Sequence, residues 1–286
     1  MPSSTITLAA ADGFKSSAYV SEPSGTPKGA IVVLQEIFGV NSHIRGVADG
    51  YAAAGYLAVA PATFDRVERG IQLGYTSDDV TQGSRLKAAV EALPAPGVLQ
   101  DIQAAVDYAA RAGKVGIVGY CWGGLLVWRA AEKVRGLSAA VAYYGGGMTV
   151  GSEPSRKPAV PTMAHFGDQD AHIPVESVKA FKQAHPVSPR PPGSGSIRPR
   201  GRARALRSPG WPLRPGCAGV GRSCRVPDRR GVPVSDPTAR EPPGLRRSAG
   251  WKRESTAGAR RQRAYRRCLP KWNSERSSAV AAALAS

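Results

Sequence analysis

The chain has 286 residues, 42% of them hydrophobic, and a formal charge of +18. That charge does not describe the whole molecule: residues 1–186 carry 16 Lys+Arg and 16 Asp+Glu, so the 23 Lys+Arg and 5 Asp+Glu of residues 187–286 supply all of it. The neutral first part excludes a chain organised throughout around a polyanion, and no apolar run reaches the roughly 18 residues that suggest a membrane span.

Residues 4–8 alternate apolar and polar side chains, and residues 18–20 resume the alternation after Asp12-Gly13, which predicts an antiparallel pair. Ala30 to Leu34 is a continuous β-branched and apolar run, the pattern of a strand covered on both faces. Asn41 or Ser42 is placed to cap a helix that Gly55 ends, and residues 56–60 form another buried strand before Pro61. Residues 65–76 read as irregular. A helix is expected from Asp78 or Asp79 to about Leu93, and helical spacing over residues 99–110 gives the next. Residues 115–118 read as a strand and 125–131 as a helix. Strands are predicted over 137–144 and 158–166, and Pro174 suits the first turn of a last helix. Strands alternating with helices imply an α/β fold, a mostly parallel sheet with helices on both faces. Sites in such sheets lie at the carboxyl ends of the strands, where Glu36, Cys121 and Asp170 fall.

After Pro186 the rhythm stops. Thirteen prolines, eleven glycines and 21 arginines lie in the last 100 residues, too polar and too interrupted to bury a core. Two regions follow: a folded domain over 1–186 and a disordered basic tail over 187–286, with at most a weak helix at 278–285.

The informative stretch is Gly119-Tyr120-Cys121-Trp122-Gly123-Gly124, between the strand at 115 and the helix at 125. A strand that turns at once into a helix needs a strained corner with small neighbours, and the glycines of G-x-C-x-G supply them. The sulfur then stands at a helix N-terminus, whose N–H groups and dipole favour a thiolate. Cys121 is the sole cysteine of the first 186 residues; Cys217, Cys224 and Cys268 lie in the tail. This usage, and a start that lacks the layout of a secretory leader, lead us to expect a cytoplasmic location. The bland alternatives are an inert buried cysteine and a dinucleotide turn, for which the G-x-G-x-x-G spacing is absent. Glu36 and Asp170 also have bland readings, as a surface carboxylate and an ordinary loop aspartate, with Asp168 competing for the role of Asp170. His165 reads as a core or edge histidine.

Gln35-Glu36-Ile37-Phe38-Gly39-Val40-Asn41, Ala60-Pro61, Phe64-Asp65-Arg66, the Cys121 hexapeptide, Tyr143-Tyr144-Gly145, and His165-Phe166-Gly167-Asp168-Gln169-Asp170 with Ile173-Pro174 together resemble the dienelactone hydrolase family of the α/β-hydrolases, over residues 5–186. The resemblance implies hydrolysis of a lactone or enol ester of a small carboxylated substrate by a Cys-His-Asp triad, without metal or cofactor. Carried over, Cys121 is the nucleophile, Asp170 orients the histidine, and Glu36 holds the resting thiol. The backbone N–H groups of Ile37 and Trp122 form the oxyanion hole. Arg66 and Arg85 are the candidates for a substrate-binding arginine.

One element of the pattern is missing. The family places its histidine roughly 30 residues past the aspartate, after one further strand and before a final helix. Here the histidines are His43, His165, His172 and His185, and none follows Pro186. The last strand, the catalytic histidine and the closing helix are therefore expected to be absent, and turnover impaired. An unpaired sheet edge is expected to lower stability. Arg, Pro, Gly, Ala and Ser have GC-rich codons, so residues 187–286 are expected to be the product of a shifted reading frame. Two other classes of function stand beside the hydrolase: a non-catalytic small-molecule binder using the same cleft, and a tail that binds nucleic acid non-specifically through arginines interleaved with Trp211, Trp251, Tyr265 and Trp272.

Overall fold

A computed structural model describes residues 2–186. The arginine-rich segment 187–286, with the disorder, the weak helix and the polyanion binding expected of it, lies outside the described residues.

Seven strands form one sheet in the order β1-β2-β4-β3-β5-β6-β7. Strands β1 (Ser3–Ala9) and β2 (Lys15–Ser21) make an antiparallel pair, and β2 runs antiparallel to β4 (Leu57–Pro61). From β4 onward every pairing is parallel, through β3 (Ala30–Leu34), β5 (Val115–Tyr120), β6 (Leu137–Tyr143) and β7 (Thr162–His165). The carboxyl ends of β3, β5, β6 and β7 therefore open on one edge of the molecule. The helices are α1 (Ser42–Ala53), α2 (Ser77–Glu91), α3 (Leu99–Ala109), α4 (Trp122–Lys133) and α5 (Val175–Ala184).

The pleat sends alternate residues of each strand to opposite faces. Ala30, Val32 and Leu34 of β3 join the side chains of α2, α3 and α4 in one apolar cluster. Ile31 and Val33 join Ile44, Val47, Ala48 and Tyr51 of α1 in another. Both clusters are closed to solvent, which is why β3 reads in the sequence as an unbroken apolar run.

Two boundaries differ from the expectation. Helix α4 begins at Trp122, three residues before the predicted start, because Gly123 and Gly124 are held helical by tight packing on the sheet despite their poor propensity. Strand β7 covers four residues, since Pro158 and Pro161 cannot take part in a ladder as donors. Among the described residues β7 has one sheet neighbour, β6.

Candidate active site

Cys121 sits between β5 and α4 with φ 54° and ψ −121°. Cys121 and Tyr144 (φ 39°) are the only non-glycine residues with positive φ among those described. Such backbone strain costs about 1–3 kcal/mol per residue and concentrates at functional sites. The three glycines leave no room for side chains. A Cβ on Gly123 would meet the carbonyl oxygen of Gln35 and, at 2.7 Å, that of Leu34. A Cβ on Gly124 would lie 2.7 Å from the Tyr143 carbonyl oxygen, and one on Gly119 would strike the Gly123 carbonyl. The corner is thus wedged against the carboxyl ends of both β3 and β6.

Gly123→Ala is therefore expected to cost about 3 kcal/mol or more, since the obstacles are backbone atoms that cannot rotate away. For a domain of this size that is a fall in Tm of roughly 6–12 °C by differential scanning calorimetry. Gly46→Ala on α1 is the control: its new Cβ meets nothing within 4 Å, so the same exchange is expected to leave Tm level or raise it slightly.

Glu36, just past β3, is 4% exposed. Burial pushes its carboxyl up to about 7, against smaller opposing effects of hydrogen bonds from Tyr75 and Tyr144. The Tyr75 hydroxyl donates to Glu36 Oε2 at 3.4 Å. The charge of Glu36 reaches Cys121. Burial first, then Glu36, and in lesser measure Asp170, push the thiol up to about 11, while the Trp122 backbone N–H and Lys87 draw it down. The helix N-terminus does favour the thiolate, as expected, through the Trp122 N–H, but desolvation and a like charge outweigh it. The resting side chain is a neutral thiol beside a carboxyl that is close to half-ionised at neutral pH.

Of the two backbone donors expected around the sulfur, Trp122 N–H is directed at it. Ile37 follows Glu36 on the loop, and its carbonyl is pressed against Gly83 of α2. The Trp122 ring faces away from the corner. Its Nε1 donates to Glu91 Oε1 at 2.9 Å and the indole stacks on Phe64 with centroids 5.1 Å apart, so it is core rather than pocket wall.

Asp170 follows β7 on the same edge of the sheet, and its Oδ1 accepts the backbone N–H of His172 at 2.8 Å. The histidines lie elsewhere. His165, at the end of β7, stacks on Tyr143 with centroids 4.6 Å apart. The His185 Nε2 is 2.8 Å from the Pro154 carbonyl, and its ring packs on Trp128 and Phe181. His43 is on α1, near Tyr120. His172 is exposed. No hydrogen bond pairs a histidine ring with Cys121 or Asp170 among the described residues.

The two candidate arginines are engaged in other ways. Arg66 donates to Asp101 at 2.7 and 2.9 Å and to Asp12 at 2.7 and 3.1 Å, locking α3 to the turn after β1. Arg85 is exposed and pairs with Glu68 at 3.1 Å. A cation whose charge reaches the sulfur is Lys87, one turn beyond Gly83 on α2. Neither Lys87 nor Tyr75 carries a motif signal. Tyr75 stands in an irregular stretch, and its role depends on contacts across 39 residues. Tyr144 lay inside a recognisable Tyr-Tyr-Gly run, but its turn toward Glu36 follows from a backbone angle the sequence does not display.

Comparison with known proteins gives the chain its relatives. The model of the dienelactone hydrolase family matches residues 16–187. The carboxymethylenebutenolidase of Pseudomonas putida is 32% identical over 188 residues, covering 64% of this chain and 78% of that protein. A Synechocystis sp. protein named "Putative carboxymethylenebutenolidase" is 32% identical over 180 residues, 58% of this chain and 72% of its own. Among solved structures, a "Putative Dienelactone Hydrolase" of Klebsiella pneumoniae subsp. pneumoniae superposes with a TM-score of 0.51 at 30% identity, covering 64% of this chain and 80% of that one.

Proposed function

This chain belongs to the dienelactone hydrolase family, a hydrolase family of the α/β-hydrolase fold, and from that premise we propose that it opens a small lactone or activated ester through an acyl intermediate on Cys121. The observation that carries the reading is the sulfur at a strained strand–helix corner, with a buried carboxyl beside it and a backbone N–H directed at it.

In this reading Glu36 accepts the thiol proton as substrate enters. The two groups titrate as a pair: once Glu36 is protonated, the like charge that held the thiol neutral is gone and the thiolate is released for attack. The thiolate adds to the acyl carbon, and the N–H groups of Trp122 and Ile37 receive the oxyanion. The C–O bond then breaks, the leaving oxygen takes back the proton, and a thioester remains on Cys121. Hydrolysis of that thioester calls for a base that activates water. Asp170 is the orienting acid of the triad, and no ring among the four histidines is paired with it, so this second half is slow. The test is intact-protein mass spectrometry after p-nitrophenyl acetate, with peptide mapping. One acetyl group on Cys121 supports the enzyme; reversible binding of esters with no adduct supports the non-catalytic binder instead.

Glu36 sets the pH dependence. Acylation needs its ionised form, so the rate is expected to rise with pH through about 7. Stability runs the other way. The folded carboxyl holds its proton more tightly than the ordinary 4.5, so the folded state binds more protons between these values and stability falls as pH rises from about 4.5 to about 7. Glu36→Gln is expected to lose the acid limb of acylation, seen by stopped-flow p-nitrophenolate release. It is also expected to gain up to roughly 3 kcal/mol of stability above pH 7, measured by urea unfolding at pH 5 and pH 8.

For residues 187–286 the proposal is a shifted reading frame, and for the whole protein a cytoplasmic location. Translating the coding DNA in the other two frames from about codon 186 tests the first. A strand, a histidine and a helix in one of them supports it, and their absence from both rejects it.

A further inference from the structure

The loop that carries Glu36 is stapled to the stretch before α2. Leu73 N–H donates to the Phe38 carbonyl at 2.8 Å, and Gly39 forms an isolated antiparallel bridge with Gln72. Asn41, which caps α1 by accepting the Ile44 N–H at 3.2 Å, turns its Nδ2 to the Leu73 carbonyl at 3.1 Å and to the Tyr75 hydroxyl at 3.4 Å. The Tyr75 ring meets Phe38 edge-on with centroids 4.6 Å apart. With an amide donor on one side and a packed ring beneath, the phenol gives its own proton toward Glu36 Oε2 at 3.4 Å.

We propose that Tyr75 is a positioning residue of the hydrolytic site: its phenol, braced by Asn41 and Phe38, fixes the Glu36 carboxyl beside Cys121 and donates to it in the ionised form. The inference rests on the cysteine-hydrolase reading for its function and on geometry alone for the contact. The 3.4 Å separation is long for a hydroxyl donor, as catalytic hydrogen bonds in the absence of substrate commonly are. It is expected to shorten when Glu36 is charged, because hydrogen bonds to ionised groups are shorter and stronger.

The groups facing Glu36 come from several elements. Tyr75 precedes α2, Tyr144 follows β6 and Cys121 heads α4, while Lys87 of α2 and Asp170 beyond β7 act on the same sulfur. Tyr75 itself is driven well above the usual phenol value by burial and by Glu36, so it stays a donor across the working range of pH. Tyr144 supplies a second hydrogen bond to the same carboxyl, so loss of Tyr75 is expected to weaken the pairing without abolishing it.

The experiment is a ¹³C-carboxyl NMR titration of the full chain, with the Glu36 resonance assigned through Glu36→Gln, in wild type and Tyr75→Phe. Phenylalanine keeps the edge-on contact with Phe38, and an unchanged melting curve confirms that the fold survives. The Glu36 midpoint is expected to rise by about 0.5–1 pH unit, the size of one modest hydrogen bond to an ionised group. The acid limb of Cys121 acylation should move with it. A purely structural role would leave both midpoints in place, and an unmoved or lowered Glu36 midpoint overturns the proposal. If Cys121 does not acylate in wild type while the Glu36 midpoint still rises in Tyr75→Phe, the hydrolase reading fails and the Tyr75–Glu36 contact stands.

Discussion

Cys121→Ala is expected to lower the rate of p-nitrophenolate release by about 10⁴–10⁶ and to remove the acetyl adduct from the mass spectrum altogether. The size follows from what is removed. A nucleophile acts as one unit with its base and its oxyanion donors, so its loss costs nearly all of the covalent pathway. The fold should not suffer. Cys121 is half-buried at a helix N-terminus and forms no disulfide, and alanine fits the same strained φ no worse than cysteine. A Cys121→Ala protein with unchanged ester cleavage would place the chemistry elsewhere and leave this corner a packing device. Serine gives a finer comparison. A hydroxyl is far less acidic than a thiol, and a Glu36 carboxyl near 7 is a poor base for it without an imidazole. Cys121→Ser is therefore expected to resemble alanine more than wild type.

The corner was legible because it is made of constraints that a sequence states directly. Gly119, Gly123 and Gly124 are there because any side chain would strike a backbone carbonyl or α-carbon, and an apolar run before them and a helical stripe after them fix the geometry around one cysteine. The buried parallel strands were legible for a similar reason: a strand covered on both faces writes itself as an unbroken β-branched run such as Ala30–Leu34, whereas the antiparallel β1 and β2 showed as alternation. What the sequence did not display is whatever depends on through-space electrostatics. The helix N-terminus favours a thiolate as the sequence suggested, but burial and the Glu36 charge, which no local pattern shows, outweigh it. Arg66 resembled a substrate ligand until its guanidinium was found between Asp12 and Asp101, partners 54 and 35 residues away. Lys87 and Tyr75 came to the site through the placement of α2 and of the loop before it, and no local pattern announces either.

The second large effect lies in the other half of the reaction. With an activated ester in excess, the chain is expected to release about one equivalent of p-nitrophenolate per Cys121 in a burst and then to turn over at a rate lower by about 10²–10⁴, the usual contribution of a positioned general base. The argument is one of asymmetry. Glu36 can serve the first step because the proton it accepts starts on the adjacent sulfur and ends on the leaving oxygen. In the second step the proton comes from water approaching a neutral thioester. Asp170 is turned to the His172 backbone N–H, and the rings of His165 and His185 are packed on Tyr143 and Trp128. Added imidazole supplies the absent function from solution. It is expected to speed the steady phase in proportion to its concentration while leaving the burst amplitude unchanged, with the neutral imidazole form active. Chasing the acetyl group on Cys121 by mass spectrometry, with and without imidazole, measures the step directly. Loss of the adduct as fast as it forms, without imidazole, would mean that this chain brings a base to its thioester from a residue outside the set assigned here.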